Sequence, residues 1–198
     1  MTPVFSFDAN RYGACLAEIL APERLNELGP GRPDAAVFPV LSRLTAEQAF
    51  SPRIIQRPDS AAACLAGLWL YFDYLEQSHR ISQQINDASG SYWHAILHRR
   101  EPDSWNGKYW LDRTGRHPIF AELNQGALEL SRRLELPPEA GFLRTQAEWN
   151  AHAFVDLCEA LRGTGSEAEL LCRRIQLLEW RLLFDYCYRQ AVGGGAGA

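Results

Sequence analysis

Apolar side chains recur along this chain at three- and four-residue steps, the spacing that lines one face of an α-helix. The pattern is clearest near the C-terminus, where Leu170, Leu171, Ile175, Leu178, Leu182 and Tyr186 form a stripe. It predicts a helix from Ser166 to Ala191, joined through Gly163-Thr164-Gly165 to another over about Thr145 to Arg162. At the other end, Asp8 is placed to cap a helix running to about Leu20, followed by Pro22 and a short helical turn through Leu28. Residues 34–50 read as two short helical pieces, with Thr45 and Gln48 at capping-box spacing. Asp59 opens the longest predicted helix, about 59–85. Its first half is apolar on every side, from Ala61 to Phe72, which marks it as the buried central helix. After a turn at Asn86-Asp87-Ala88-Ser89-Gly90, Ser91 is a candidate N-cap for a short helix ending at Glu101 before Pro102. Helices over about Trp105 to Thr114 and Pro118 to Leu134 complete the set, and Pro137-Pro138 closes the latter. No segment alternates as a strand does. The fold expected is all-α: a single-domain helical bundle over residues 1–192, with a disordered Gly/Ala tail at 193–198.

Polar chemistry concentrates in one part of this helical pattern. Three of the five histidines, three of the six tryptophans and the one lysine, Lys108, lie between residues 93 and 117. His94 and His98 are four residues apart, about 6 Å along a helix axis, a separation at which two imidazoles can grip one metal ion. Glu101 shares their face but lies about 10 Å from His94. A single ion would therefore be held by His94 with His98, or by His98 with Glu101. Further ligands must come from the preceding helix, which the five-residue turn folds back as an antiparallel hairpin. Glu76 and His79 have the Glu-x-x-His spacing that helical di-metal carboxylate proteins use, and His79 falls near the level of His94 and His98. With no second Glu-x-x-His in the chain, a mononuclear site is the simpler construction.

The segment that follows adds hydrogen-bond donors. Asn106, Tyr109, Trp110 and Arg113 share one face of a helix, and with Arg100, Lys108 and His117 they could form an aromatic-walled pocket for a carboxylate or phosphate. Each residue also has a plainer reading. His98, Arg99 and Arg100 suit the carbonyl end of a helix, and Glu76 with Arg80 is an ordinary surface pair. The tryptophans can be core anchors.

Composition narrows the functional class. A net charge of −4 argues against a general affinity for nucleic acid or anionic membranes, and the Ala61–Phe72 apolar run is too short to cross a bilayer. Five scattered cysteines without a CxxC pair read as buried reduced thiols, which with no signal-peptide pattern makes a cytoplasmic protein the expectation. Gly-rich phosphate loops, nucleophile elbows and HExxH are missing from the sequence.

The strings Ser91-Tyr-Trp-His-x-x-x-His-Arg-Arg-Glu-Pro-Asp103, Asn106-x-Lys-Tyr-Trp110 and Arg113-x-Gly-x-His-Pro118 resemble a pattern of uncharacterised bacterial proteins of about this length. That resemblance implies no activity. A looser likeness is to DinB/YfiT-like metal-binding helical bundles, which carry His-x-x-x-His on one helix and a third histidine on another. His94 and His98 match the pair, and His79, fifteen residues upstream of His94, is the candidate third.

These readings combine into an expected metalloprotein with one divalent ion (Zn, Fe, Ni or Mn). The ion would be held by His94 and His98 with His79 or Glu76, and the protein would act as an enzyme on a small polar or anionic molecule. Glu101 would be ligand or general base, and Lys108, Arg100 and Arg113 would orient the substrate. Two alternatives use the same residues: a metal-free binding module for an organic anion, or an Arg/Trp-rich protein-docking surface.

Overall fold

A computed structural model describes residues 5–194, which form eleven α-helices, two short 3-10 turns and no strand. In chain order the helices are α1 (Ala14–Leu20), α2 (Phe38–Leu41), α3 (Ala46–Phe50), α4 (Pro58–Tyr71), α5 (Leu75–Ser82) and α6 (Ala88–Arg100). They continue with α7 (Ser104–Thr114), α8 (Phe120–Ser131), α9 (Phe142–Thr145), α10 (Ala151–Leu161) and α11 (Glu167–Ala191). The all-α bundle predicted from periodicity is what forms. Thr45 and Gln48 close a reciprocal capping box on α3, and Ser166 caps α11 through the Glu169 N–H.

The long helix expected over 59–85 is instead two helices. The chain breaks at Phe72-Asp73-Tyr74, where Asp73 adopts a left-handed backbone (φ 66°). Neither glycine nor proline marks this point in the sequence. Tertiary contacts impose the break: the buried Asp73 carboxylate accepts from Arg24 Nη2 at 3.0 Å, Asn26 Nδ2 at 2.9 Å and the Arg100 guanidinium. Aspartate tolerates this conformation better than most residues, and the charged hydrogen bonds outweigh the local cost.

The central position also falls elsewhere than expected. In α6, twelve of thirteen residues are buried, polar ones included. α6 packs between α4, α5, α7 and α10, while α11 lies along α4 and α8. Gly67 on α4 makes room for the centre of this arrangement, since a Cβ there would stand 2.8 Å from the Trp93 ring. The Gly67 carbonyl, for its part, accepts the Trp180 indole N–H at 2.8 Å.

Several boundaries differ from the periodicity reading for identifiable reasons. Asp8 caps only the 3-10 turn Ala9–Tyr12, and Gly13 at φ 93° separates that turn from α1. Residues 23–28 are not helical, because their carbonyls are taken by α11: Arg173 donates to Leu25 and Asn26, and Gln176 to Glu27. α6 begins at Ala88 under an Asp87 cap, so Ser91 is not the N-cap. Gly90 belongs to the first turn because any Cβ there would meet Ile85 at 2.5 Å. The helix expected from Thr145 is interrupted at residues 146–150 and restarts under an Asn150 cap as α10. The tail expected to be disordered is partly placed: Gly193 and Gly194 N–H groups close the end of α11, and residues 195–198 lie outside the described set. All five cysteines are free thiols, four of them buried.

Candidate metal centre

The helical hairpin brings three imidazoles together. α6 presents His94 and His98 one turn apart and both buried, 3 % and 9 % exposed. Across from them α5 presents half-buried His79, with ring centroids 4.6 Å from His94 and 5.5 Å from His98. The His94 and His98 rings are themselves 4.8 Å apart and nearly parallel. One ring nitrogen from each histidine lies within 4.8 Å of the other two.

A fourth ring completes the enclosure. Trp110 of α7 stacks on His94 at 3.9 Å, and the Arg113 guanidinium lies 5.3 Å from the Trp110 centroid. Closed in this way, neither nitrogen of His94 has a hydrogen-bond partner, although both are shut off from water. Buried polar atoms are rarely left so. Burial holds the His94 imidazole down to about 3, and the neighbouring His98 and His79 rings push in the same direction. Burial also lowers His98, against the opposing pull of Glu101 and Asp103. At neutral pH both rings on α6 are therefore uncharged and carry free lone pairs, the form in which imidazole binds a metal.

The other expected site residues are placed as follows. Glu76 does not join the cluster: it is 64 % exposed and accepts from Arg80 Nε at 2.9 Å, a partner one turn along its own helix. Glu101 stands beside the cluster, its Oε2 3.1 Å from His98 Nδ1. Arg100 is turned away into the core, where its guanidinium meets Asp73 and donates to the Leu70 carbonyl. It cannot orient a substrate at the histidines. Lys108 is tied to Asp156 on α10 at 2.5 Å. Asn106 serves the α7 cap, its amide donating to Asp103 Oδ2 at 2.6 Å. Tyr109 is exposed and stacks parallel on Trp105. His117 is buried elsewhere, facing Ser89 Oγ at 3.1 Å, and burial alone lowers its imidazole to about 4.

No protein-family model, curated protein or solved structure matches this chain. The site must therefore be read from its own geometry. None of the described helices is long and apolar enough to cross a membrane.

Two groups that secure the site left no local signal in the sequence. Glu179 of α11 receives Arg99 Nη2 at 2.5 Å and the Tyr92 hydroxyl at 2.7 Å, all three being buried. Together with Asp73 on Arg100, this anchors both guanidinium groups that follow His98. Opposite-charge partners at distances of 27 and 80 residues cannot be paired by spacing.

A sizeable hollow lies away from the three histidines. A cleft of about 760 Å³ opens between α7, α8 and the segment leading into α10. His117, Phe120 and Trp149 line it, and two ion pairs, Arg116–Glu148 and His152–Asp112, join its sides.

Proposed function

We propose that this protein is a metalloprotein in which His79, His94 and His98 hold one divalent transition-metal ion, and that the ion is the centre of an enzyme acting on a small polar molecule. The observation that carries the reading is the buried His94 imidazole, whose nitrogens are both unpartnered and one of which lies within 4.8 Å of a ring nitrogen from each of two further histidines. A metal ion would satisfy this donor set. Bonds of about 2.0–2.1 Å to a tetrahedral ion separate neighbouring nitrogens by roughly 3.3 Å, which small ring rotations reach from the present spacing. Three neutral nitrogen ligands suit Zn, Ni or Fe(II) better than harder ions.

Three protein ligands leave a coordination position open, the pattern of catalytic rather than structural zinc. An ion there would polarise a bound molecule or make its own water acidic. This chain's residues supply the setting. Trp110 shields one side from water, Glu101 and Asp103 give the His98 side a negative character, and Arg113 forms no ion pair among the described residues. With Arg100 and Lys108 engaged elsewhere, support for an anionic substrate shrinks to Arg113, and a neutral polar molecule fits better.

Elemental analysis of protein purified without chelator tests the reading. About one equivalent of a transition metal is expected, falling below a tenth in His94→Ala. Metal well under one equivalent in both proteins overturns it.

A second reading, metal-free binding of a small organic molecule, rests on the separate cleft beside His117. Its size is in the range of ligand sites. It predicts thermal stabilisation by a ligand that chelators leave untouched and that Phe120→Asp removes.

A further inference from the structure

We infer that Glu101 is a positioning residue for His98: its carboxylate holds the proton on Nδ1 and so directs the Nε2 lone pair toward the other two histidines. Glu101 is the C-cap of α6, where a negative charge meets the carbonyl end of the helix and is disfavoured. Something must offset that placement, and the close neighbour of its Oε2 is His98 Nδ1 at 3.1 Å. Nδ1 of His98 is shut off from water and has no aligned hydrogen-bond partner, so Glu101 is the acceptor within reach. Asp103 is the next carboxylate, at 4.0 Å, but its oxygens are already engaged by the Asn106 amide and backbone N–H. Glu101 itself is outside the group of mutually close ligand atoms, which contains only the histidines.

A carboxylate on the far nitrogen fixes the tautomer and orientation of a metal-binding imidazole and raises its basicity. The backbone supports this role. The Glu101 N–H bonds back to the Leu97 and His98 carbonyls, and the Asp103 N–H to the His98 carbonyl at 2.9 Å, which pins the carboxylate to the turn that carries its partner. His94 has no such partner on either nitrogen. The two histidines of α6 are therefore unequal, one held by a carboxylate and one held only by packing.

The tautomer arm of the test is independent of any metal, while the affinity arm rests on the metal reading above. Long-range ¹H–¹⁵N correlation spectra of the metal-free protein at pH 7.5 should show His98 as the Nδ1–H tautomer. In Glu101→Ala that signal should move toward the Nε2–H form. Zinc competition against a chromophoric chelator should show 10- to 100-fold weaker binding in Glu101→Ala. The loss should be smaller in Glu101→Gln, whose amide oxygen still accepts, and less than threefold in Asp103→Asn, which keeps the α7 cap. An unchanged His98 tautomer in Glu101→Ala overturns the inference. So does loss of zinc as complete as in His94→Ala, since Glu101 would then be a ligand. If the wild-type protein binds no zinc, the metal reading fails, and the tautomer result still decides the role of Glu101.

Discussion

The indole of Trp110 lies face to face with the imidazole of His94, ring centroids 3.9 Å apart and planes 18° from parallel. This contact helps keep His94 dry, because the indole covers one face of a ring whose other aromatic neighbours are His79 and His98. Trp110→Ala should let water reach His94. Its imidazole should then titrate well above the present value of about 3, toward the ordinary 6.5, as followed by NMR of the ring protons. The stability loss should be about 1–3 kcal/mol for a half-buried ring, with Trp110→Phe retaining most of it. A His94 titration unmoved by Trp110→Ala would show that the stack does not control hydration.

Acid should destabilise the metal-free protein through its buried neutral histidines. His94 and His117 are held down to about 3 and about 4 in the folded chain, against 6.5 when unfolded. Below pH 6.5 the unfolded chain takes up protons that the folded one refuses. Stability is thus complete above that pH and falls as the pH drops toward 4, at up to about 1.4 kcal/mol per pH unit for each group. Urea midpoints at pH 7.5, 6 and 5 should decline in order, and His117→Gln should flatten the decline. A constant midpoint across that range would contradict the assignment.

His79 and Glu76 sit one turn apart on α5 but should behave oppositely. With metal at a hundred times its dissociation constant, binding stabilises by about 2.7 kcal/mol. That increment, read as a chelator-reversible rise in melting temperature, should vanish in His79→Ala and persist in Glu76→Ala. Removing the exposed Glu76–Arg80 pair should itself cost under about 1 kcal/mol. Loss of the metal effect in Glu76→Ala would return that carboxylate to the ligand set.

Glu179 should prove the most sensitive acidic residue on α11. It is 1 % exposed, and Arg99 and the Tyr92 hydroxyl both depend on it. Glu179→Ala leaves a guanidinium buried and unpaired and should cost about 3–5 kcal/mol in urea denaturation. Tyr92→Phe removes one hydrogen bond from the same carboxylate and should cost about 1 kcal/mol. Near-equal losses would mean that the charge pair contributes little beyond that bond.

What the sequence made legible follows the range of the interactions involved. His94 and His98 could be placed together because helical spacing is local, and His79 because a short turn folds α5 back on α6. Glu76 had the right spacing too. But Arg80 is on the same helix face and reaches its carboxylate first, in solvent. Arg99 and Arg100 read as ordinary cations at a helix end. In the fold they are buried by Glu179 and Asp73, partners whose proximity only tertiary structure creates. For the same reason the break at Asp73 carried no warning: its cause is distributed over Arg24, Asn26 and Arg100.

That break has a bearing on the histidines themselves. His79 rides on an eight-residue rod whose direction is set at Asp73, six residues upstream and beyond the reach of any imidazole. His94 and His98 belong to a different rod, joined to the first at its opposite end. The span across which the three rings face one another is therefore a gap between two levers hinged at residues 83–87, and their far ends are tied by the buried Arg100–Asp73 pair. Under the metal reading proposed above, affinity for the ion would be tuned, or spoiled, at that tie with all three histidines left in place.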